Sequence, residues 1–339
     1  MNNIKRDISL DILRCIALIG IIVIHIHPES LFVRQIRNFD VPMMVFLSGV
    51  SYVLSNRNKR IGYSSYCVKR FKRLILPSWI FLAFYYLIFH IIYFIVSSNA
   101  HILWDDMLHS FTFFTGWYVW IIRVFFIIAL CAPLISLATY KVSQNGMVIS
   151  CVVILFLYEF IPLQREDSVI YYLGMVIPYL TIFSIGLVVN KFTKRQLLIL
   201  SAIFMLIYIS YAVYYFQLTG SYQETSIKKY PPKLYYTSFA ISISLILFIS
   251  KNYILSICDK LRIVPICEFL GSHTIWIYFW HIPIVKPAMM ILSNGGVRFI
   301  LVVSLATIIT YIQVKIVDKV MRETNKDSVR KNLKILFVG

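Results

Sequence analysis

Long apolar segments recur along most of the chain, and they constrain its fold more than any other feature. About ten of them approach the roughly 20 residues that a helix needs to cross about 30 Å of hydrocarbon. With 59% hydrophobic and 14% charged residues, the chain is too apolar for a soluble domain of 339 residues. We therefore predict an all-α, polytopic transmembrane helix bundle, with spans near 8–26, 39–55, 74–96, 119–138, 146–162, 172–189, 197–218, 235–250, 269–290 and 298–317.

The distribution of positive charge predicts the orientation of this bundle. A formal net charge of +18 would suggest a nucleic-acid partner for a soluble protein. Here, however, most Lys and Arg residues fall between spans on one side, as the positive-inside rule describes for cytoplasmic loops. We therefore expect both termini in the cytoplasm, a multi-pass domain over 1–318 in the cell membrane of a bacterium, and a basic tail over 319–339. Membrane lipids are expected partners, nucleic acids are not, and the oligomeric state stays open.

Cysteine usage and the first apolar segment exclude several other classes of protein. The six cysteines have no paired spacing such as CxxC, so they predict neither a disulfide framework nor a metal site. The first apolar segment contains Arg14 and has no small-residue cleavage pattern, so we expect it to stay as the first helix rather than act as a signal peptide.

Two polar residues of the first span, Arg14 and His25, lie on one stripe of a helix. Their separation of eleven positions makes about 1100°, within roughly 20° of three full turns, and about 16 Å of rise. Ionisable residues in hydrocarbon are expensive, so this stripe is expected to face a protein interior or a wet cavity. His27, beside Pro28, lies about 200° away from His25 and is predicted to mark the end of the helix.

Each polar residue of this stripe has an alternative interpretation. His25 suits a general base, because imidazole titrates near neutrality, but it could also simply reach water at the membrane interface. Arg14 suits a phosphate ligand through its forked donors, and it could equally pair with Asp11 one turn earlier.

The basic stretch before the third span has two possible roles. It includes Lys69, Arg70 and Arg73 and ends at Pro77. Such cations often serve as topology signals or bind anionic lipids. The alternative is an anion site on the cytoplasmic side for a phosphate-rich ligand. Coenzyme A would be such a ligand.

Five segments carry motifs that occur together in this order: 6–17 (RDISLDILRCIA) followed by His25, 40–49 (DVPMMVFLSG), 69–77 (KRFKRLILP), 116–119 (GWYV) and 269–283 (FLGSHTIWIYFWHIP). Together they resemble the acyltransferase 3 family of integral membrane acyltransferases. The Ser48-Gly49 pair of the second segment also favours close packing of two membrane helices. Cys15 and Val119 depart from the family's usual glycine and leucine, which leaves the acceptor open.

The resemblance implies transfer of an acyl group, commonly acetyl from acetyl-CoA, to a hydroxyl of a cell-envelope polysaccharide or lipid-linked sugar. It implies His25 as the catalytic histidine and the basic side chains as ligands of the donor phosphates. Asp11 is a second catalytic candidate, with a plain ion-pair role as its alternative. We predict these sites: catalytic His25 and Asp11; donor-binding Arg14, Lys69, Arg70 and Arg73; substrate-binding Trp117, Tyr118, Arg123 and His281.

The principal alternative function is export or flipping of a lipid-linked polysaccharide, since a helix bundle with a wet interior would serve either purpose. Ion-driven transporters usually carry carboxylates near the membrane midplane. In the predicted spans only Asp11 and Glu159 are clear acids, so transport without acylation is disfavoured. A noncatalytic scaffold would leave the Arg14–His25 stripe unexplained.

Overall fold

A computed structural model describes residues 6–56, 62–96, 104–113, 118–163 and 169–338. Within these ranges the regular structure is helical and no β-strand forms, which confirms the predicted all-α class. The helices are α1 (Ile8–His25), α2 (Leu31–Ile36), α3 (Asp40–Asn56), α4 (Tyr63–Val96), α5 (Trp104–Thr112), α6 (Trp120–Lys141), α7 (Gln144–Glu159), α8 (Val169–Gly174), α9 (Val176–Val188), α10 (Lys194–Thr219), α11 (Leu234–Ile249), α12 (Lys251–Lys260), α13 (Val264–Ser272), α14 (Thr274–Ile291), α15 (Gly295–Glu323) and α16 (Asp327–Phe337).

Six helical segments of the described chain are long and apolar enough to span a membrane. A seventh is obtained if α11 and α12, which meet at a bend of 61°, are counted as one span. The predicted count of ten is therefore not confirmed. Each predicted segment does lie on helix, but α3 with 17 residues and α7 with 16 are shorter than the six helical segments that qualify. The positions of the termini relative to the membrane stay a prediction.

Local sequence signals set both ends of α1. The Asp7 side chain accepts a hydrogen bond from the Ser9 backbone N–H at 3.0 Å, which satisfies one of the free N–H groups of the first turn. At the other end α1 stops at His25, and His27 has a positive φ of 52° immediately before Pro28. The prediction that the helix ends beside His27 is confirmed, and His25 consequently lies in the last turn.

Helix α1 lies at the centre of the bundle. It packs against α3, α12, α13, α14 and α15, and much of its surface is buried. At Gly271 on α13 the two backbones come so close that a Cβ atom would overlap the carbonyl oxygen of Asp11. Glycine is therefore needed there to bring α13 against the polar part of α1.

The helices α3 and α9 cross through a pair of glycines. A Cβ atom at Gly49 would overlap the carbonyl oxygen of Phe183, and one at Gly186 would overlap that of Phe46. Small residues let membrane helices approach in this way. The predicted close packing at Ser48-Gly49 is confirmed.

The substitution Gly49→Ala should destabilise the protein by about 1–3 kcal/mol, because the added methyl group has no space between α3 and α9. Thermal unfolding of the detergent-purified chain would measure the effect. The matched control is Gly62→Ala, at a position where an added Cβ meets nothing within 4 Å. Equal melting temperatures for the two variants would contradict the close crossing.

Candidate active site

One stripe of α1 lines two neighbouring cavities inside the bundle. Arg14, Leu18 and Ile21 line the first cavity, and Ile21 and His25 line the second. These residues are three or four positions apart, which is the spacing of one helix face. The prediction that Arg14 and His25 share an inward stripe is therefore confirmed.

The first cavity, here called the arginine cavity, has a volume of about 580 Å³. This lies within the usual range for pockets that bind small ligands. Four guanidinium groups line it, from two parts of the chain that are far apart in sequence: Arg6, Arg14, Arg70 and Arg73.

A single carboxylate, that of Asp11, compensates part of this positive charge. Its side chain is fully buried and accepts hydrogen bonds from Arg6 Nε at 2.5 Å and Arg6 Nη2 at 3.0 Å, and it also pairs with Arg14. Arg14 Nη2 donates to Ser51 Oγ at 2.5 Å, which fixes the guanidinium across α1 and α3. Four positive charges facing one negative charge leave a site that is electrostatically suited to a polyanion.

The second cavity, here called the histidine cavity, is smaller, with a volume of about 230 Å³. Besides His25 its polar lining comes from the α2–α3 corner, from α14 and from the segment between α10 and α11: Arg37, Asp40, Ser226, Lys229, Tyr230 and Tyr278. Ile21, Ile121 and Tyr278 line both cavities, so the two spaces adjoin at these three side chains.

His25 and His281 form a hydrogen-bonded pair next to the histidine cavity. His25 Nδ1 lies 2.7 Å from His281 Nε2, and the two rings stack at a centroid distance of 4.9 Å. His281 is completely buried, and its Nδ1 contacts the backbone carbonyl of Tyr278.

This chain of contacts determines the tautomers of both neutral rings. A carbonyl oxygen only accepts, so His281 must carry its proton on Nδ1 and present an unprotonated Nε2. His25 must then donate from Nδ1, which leaves the lone pair on its own Nε2. That atom makes no hydrogen bond to the described residues, so it can take a proton from a substrate.

Two tyrosines hold the His25 ring from the sides. The Tyr118 ring packs edge-on against His25 at 4.8 Å between centroids, and the Tyr278 ring lies 6.4 Å away. The Tyr278 hydroxyl donates to the backbone carbonyl of Tyr118, which ties α14 to the segment before α6. Tyr118, predicted as a substrate contact, thus lies directly at the histidine pair.

The structure separates several predicted site residues from His25. Asp11 lies fourteen positions before His25, about 21 Å along the helix, with its carboxylate bound by two arginines. It therefore orients Arg6 and Arg14 and does not reach His25. Lys69 is exposed and lines neither cavity, whereas Arg70 and Arg73 of the same helix both line the arginine cavity, Arg73 with an exposed side chain.

The predicted substrate-binding residues have different positions. Arg123 is buried outside both cavities, where it donates to the Phe113 carbonyl and lies over the Tyr172 ring at 4.3 Å. Its hydrogen bond to Phe113 connects α6 to the end of α5. His281 is shielded from the cavity and contacts His25 itself. Trp117 lies outside the described residues.

Six polar residues of the histidine cavity were not predicted as site residues, namely Arg37, Asp40, Ser226, Lys229, Tyr230 and Tyr278. Asp40 and Tyr278 occur within the family-like segments, which was the available signal. The other four fall in the loops between the predicted spans, where nothing in the local sequence indicates a site. Among the residues that the structure describes, no three His, Cys, Asp or Glu side chains cluster closely enough to hold a metal ion.

A family model described as an acyltransferase domain, of the acyltransferase 3 type, matches residues 7–313 of this chain. The match includes α1 through most of α15 and, apart from Arg6, all residues that line the two cavities. Neither a curated protein nor a solved structure matches the chain.

The substitution Asp11→Asn should lower the free energy of unfolding by about 3 kcal/mol, because it leaves two guanidinium groups without their buried counter-charge. Chemical or thermal unfolding in detergent would measure the change. Asp327→Asn is the matched control, since Asp327 pairs with Arg330 on the surface at 3.6 Å and is 97% exposed. Similar small effects for both variants would show that Asp11 does not stabilise the arginine cavity.

Proposed function

Because the chain belongs to the acyltransferase 3 family, we propose that this membrane acyltransferase moves an acetyl or similar short acyl group from acyl-CoA to a sugar hydroxyl. The acceptor is a cell-envelope polysaccharide or a lipid-linked sugar. One observation supports the proposal above all others: a cavity lined by four arginines adjoins a cavity lined by an unprotonated histidine nitrogen.

The arginine cavity has the chemistry that the donor requires. Acyl-CoA would supply the acyl thioester and a thiolate leaving group, and its phosphates require cationic ligands. Arg70 and Arg73 come from α4 and Arg14 from α1, so cations approach from two sides. Arg6 and Arg14 are held in place by Asp11, which reduces the side-chain entropy lost on binding.

The thioester end of a bound acyl-CoA would have a direct route to His25. Arg14 and His25 are about 16 Å apart along α1, and the side chains between them line first one cavity and then the other. An extended arm bound by its phosphates at Arg14 would lead along this stripe past Ile21 and Tyr278. The acceptor hydroxyl would enter the histidine cavity from the opposite end.

We assign His25 the role of general base. Its Nε2 takes the proton of the acceptor hydroxyl while that oxygen forms a bond to the acyl carbon and the carbon–sulfur bond breaks. The electron pair of that bond leaves with the sulfur. The resulting His25 imidazolium still donates a hydrogen bond from Nδ1–H to the Nε2 of His281.

His281 is a positioning residue in this scheme. It fixes the tautomer and the orientation of His25 without reaching the substrate, because it is fully buried and its other nitrogen is occupied by the Tyr278 carbonyl. Acyl transfer requires a base with a fixed tautomer, which this histidine pair provides. Export or flipping of a lipid-linked sugar does not require one. The site therefore favours acyl transfer over export alone.

The histidine pair gives the central test. His25→Ala should reduce acetyl transfer from acetyl-CoA to envelope glycan by 10²–10⁴-fold, the usual contribution of a general base. His281→Leu should reduce it by about 10–100-fold, and His281→Gln should restore part of the loss, since its amide oxygen can accept from His25 Nδ1.

The measurement is transfer of labelled acetyl by the purified chain, with melting temperatures to verify folding. Full activity of a folded His25→Ala variant would overturn the assigned role. Equal activity of the Leu and Gln variants would show that the His281 acceptor does not matter.

Donor binding gives a second, separate test. Arg73→Gln should raise the apparent Kd for acetyl-CoA by about 10-fold, because a charge-assisted bond to phosphate is lost. Lys69→Gln, which removes a nearby cation that is exposed and outside the cavity, should leave this Kd unchanged. Titration of each variant with acetyl-CoA and with dephospho-CoA would measure the two Kd values. Equal effects of the two substitutions would indicate only a general surface charge.

A further inference from the structure

Lys229 is a buried cation that the acyl-transfer scheme does not use. It lines the histidine cavity and is only 6% exposed, in the segment between α10 and α11. Its ammonium makes no ion pair and no hydrogen bond with any described residue; the rings of Tyr230 and Tyr236 are its nearest aromatic neighbours, at 5.5 and 5.9 Å. An ammonium buried without an anionic partner is costly, which indicates that its partner arrives with a ligand.

The other charges of the cavity are already paired with each other. Arg37 Nη1 donates to Asp40 Oδ2 at 2.6 Å, and the Val41 N–H donates to Asp40 Oδ1 at 2.6 Å. Arg37 Nη2 donates to Asn38 Oδ1 at 2.8 Å. Since Arg37 and Asp40 compensate one another, the charge of Lys229 is the surplus charge of the histidine cavity.

The segment that carries Lys229 is fastened to the α2–α3 corner. The Thr225 N–H donates to Gln35 Oε1 at 2.9 Å, and Asn38 Nδ2 donates to Thr225 Oγ1 at 3.0 Å, all between buried residues. Nearby, Arg34 and Glu224 form an ion pair at 3.1 Å. Lys229 therefore reaches the cavity from a segment whose position is fixed by these hydrogen bonds and this ion pair.

We propose that Lys229 binds an anionic oxygen group of the acceptor, a carboxylate or a phosphate, inside the histidine cavity, so that acidic sugars are preferred over neutral ones. This inference rests on the proposed function for the identity of the cavity as the acceptor site. It adds the chemical class of the acceptor, which that function leaves open.

The size of the cavity places the anionic group close to the reacting hydroxyl. A volume of about 230 Å³ is below the range of roughly 300–1,000 Å³ that is usual for ligand pockets. This is room for one sugar ring and little more. The anionic group and the hydroxyl that His25 deprotonates therefore belong to the same sugar unit or to directly linked groups.

The charge state of Lys229 makes the preference dependent on pH. Burial lowers the pKa of Lys229 to about 8; the carboxylate of Asp40 opposes the shift and the guanidinium of Arg37 adds to it. Anion binding should consequently weaken between pH 7 and pH 9 as the free ammonium loses its proton. The charged and titratable groups that face Lys229 from the surrounding elements are His25, Arg37, Asp40, Tyr230, Tyr236 and Tyr278.

The test measures sugar binding directly, by calorimetric titration of the full chain in detergent. The probes are glucuronate and glucose 1-phosphate as anions, with glucuronamide and glucose as their neutral counterparts. We expect at least one anion to bind at least 10-fold more tightly than its counterpart at pH 7. Lys229→Met should abolish this difference, and Lys228→Met, the adjacent lysine outside the cavity, should preserve it. Lys229→Arg should keep the preference at pH 9, because guanidinium stays charged there.

The outcomes separate this inference from the proposed function. Equal binding of charged and neutral probes, or a preference that survives in Lys229→Met, would overturn the anion site while leaving acetyl transfer as it stands. Loss of acetyl transfer in Lys229→Met with unchanged sugar binding would place Lys229 at the reacting carbonyl instead and would equally overturn the inference. Removal of a buried charge should not unfold the protein, and the melting temperature of Lys229→Met would verify this.

Discussion

The cost of burying polar side chains in a central membrane helix determines how this molecule is built. Helix α1 carries a carboxylate, a guanidinium and an imidazole on or beside one face, and each has a polar partner, which is local for Asp11 and comes from a distant part of the chain for Arg14 and His25. Arg6 and Ser51 complete the network around Asp11 and Arg14, and His281 completes that of His25. These partners draw α3 and α14 around α1 and leave the two cavities between them.

The parts of the site that could be predicted from the sequence were those set by local helix geometry. The period of 3.6 residues places Arg14 and His25 on one face, and the helix ends shortly before Pro28 with His25 in its last turn. The same period places Asp11 beside Arg14 and about 21 Å along the helix from His25, so the sequence itself argues against direct contact between the Asp11 carboxylate and His25. Gly49 likewise indicates close helix packing from the sequence, because it has no side chain to keep a second helix away.

The rest depends on contacts between distant parts of the chain. His25 and His281 are 256 positions apart, and no periodicity of α1 or α14 indicates that their rings meet. Lys229 lies in a segment that hydrogen bonds to the α2–α3 corner hold over the cavity, and these bonds join residues about 190 positions apart. Crossing a membrane depends on the length of a continuous helix as well as on its apolar composition, and α3 with 17 residues and α7 with 16 are short for a span, so the count of ten is not confirmed.

The boundary between the two cavities has a consequence for the membrane as a barrier. It consists of Ile21, Ile121 and Tyr278, two aliphatic side chains and a tyrosine whose hydroxyl is already engaged by a backbone carbonyl. A hydrated ion finds no replacement there for its water ligands, so this boundary opposes the passage of ions. Under the proposed function, a slender and largely uncharged acyl arm would lose little at the same boundary, and a reactive group would cross it without an accompanying leak of ions.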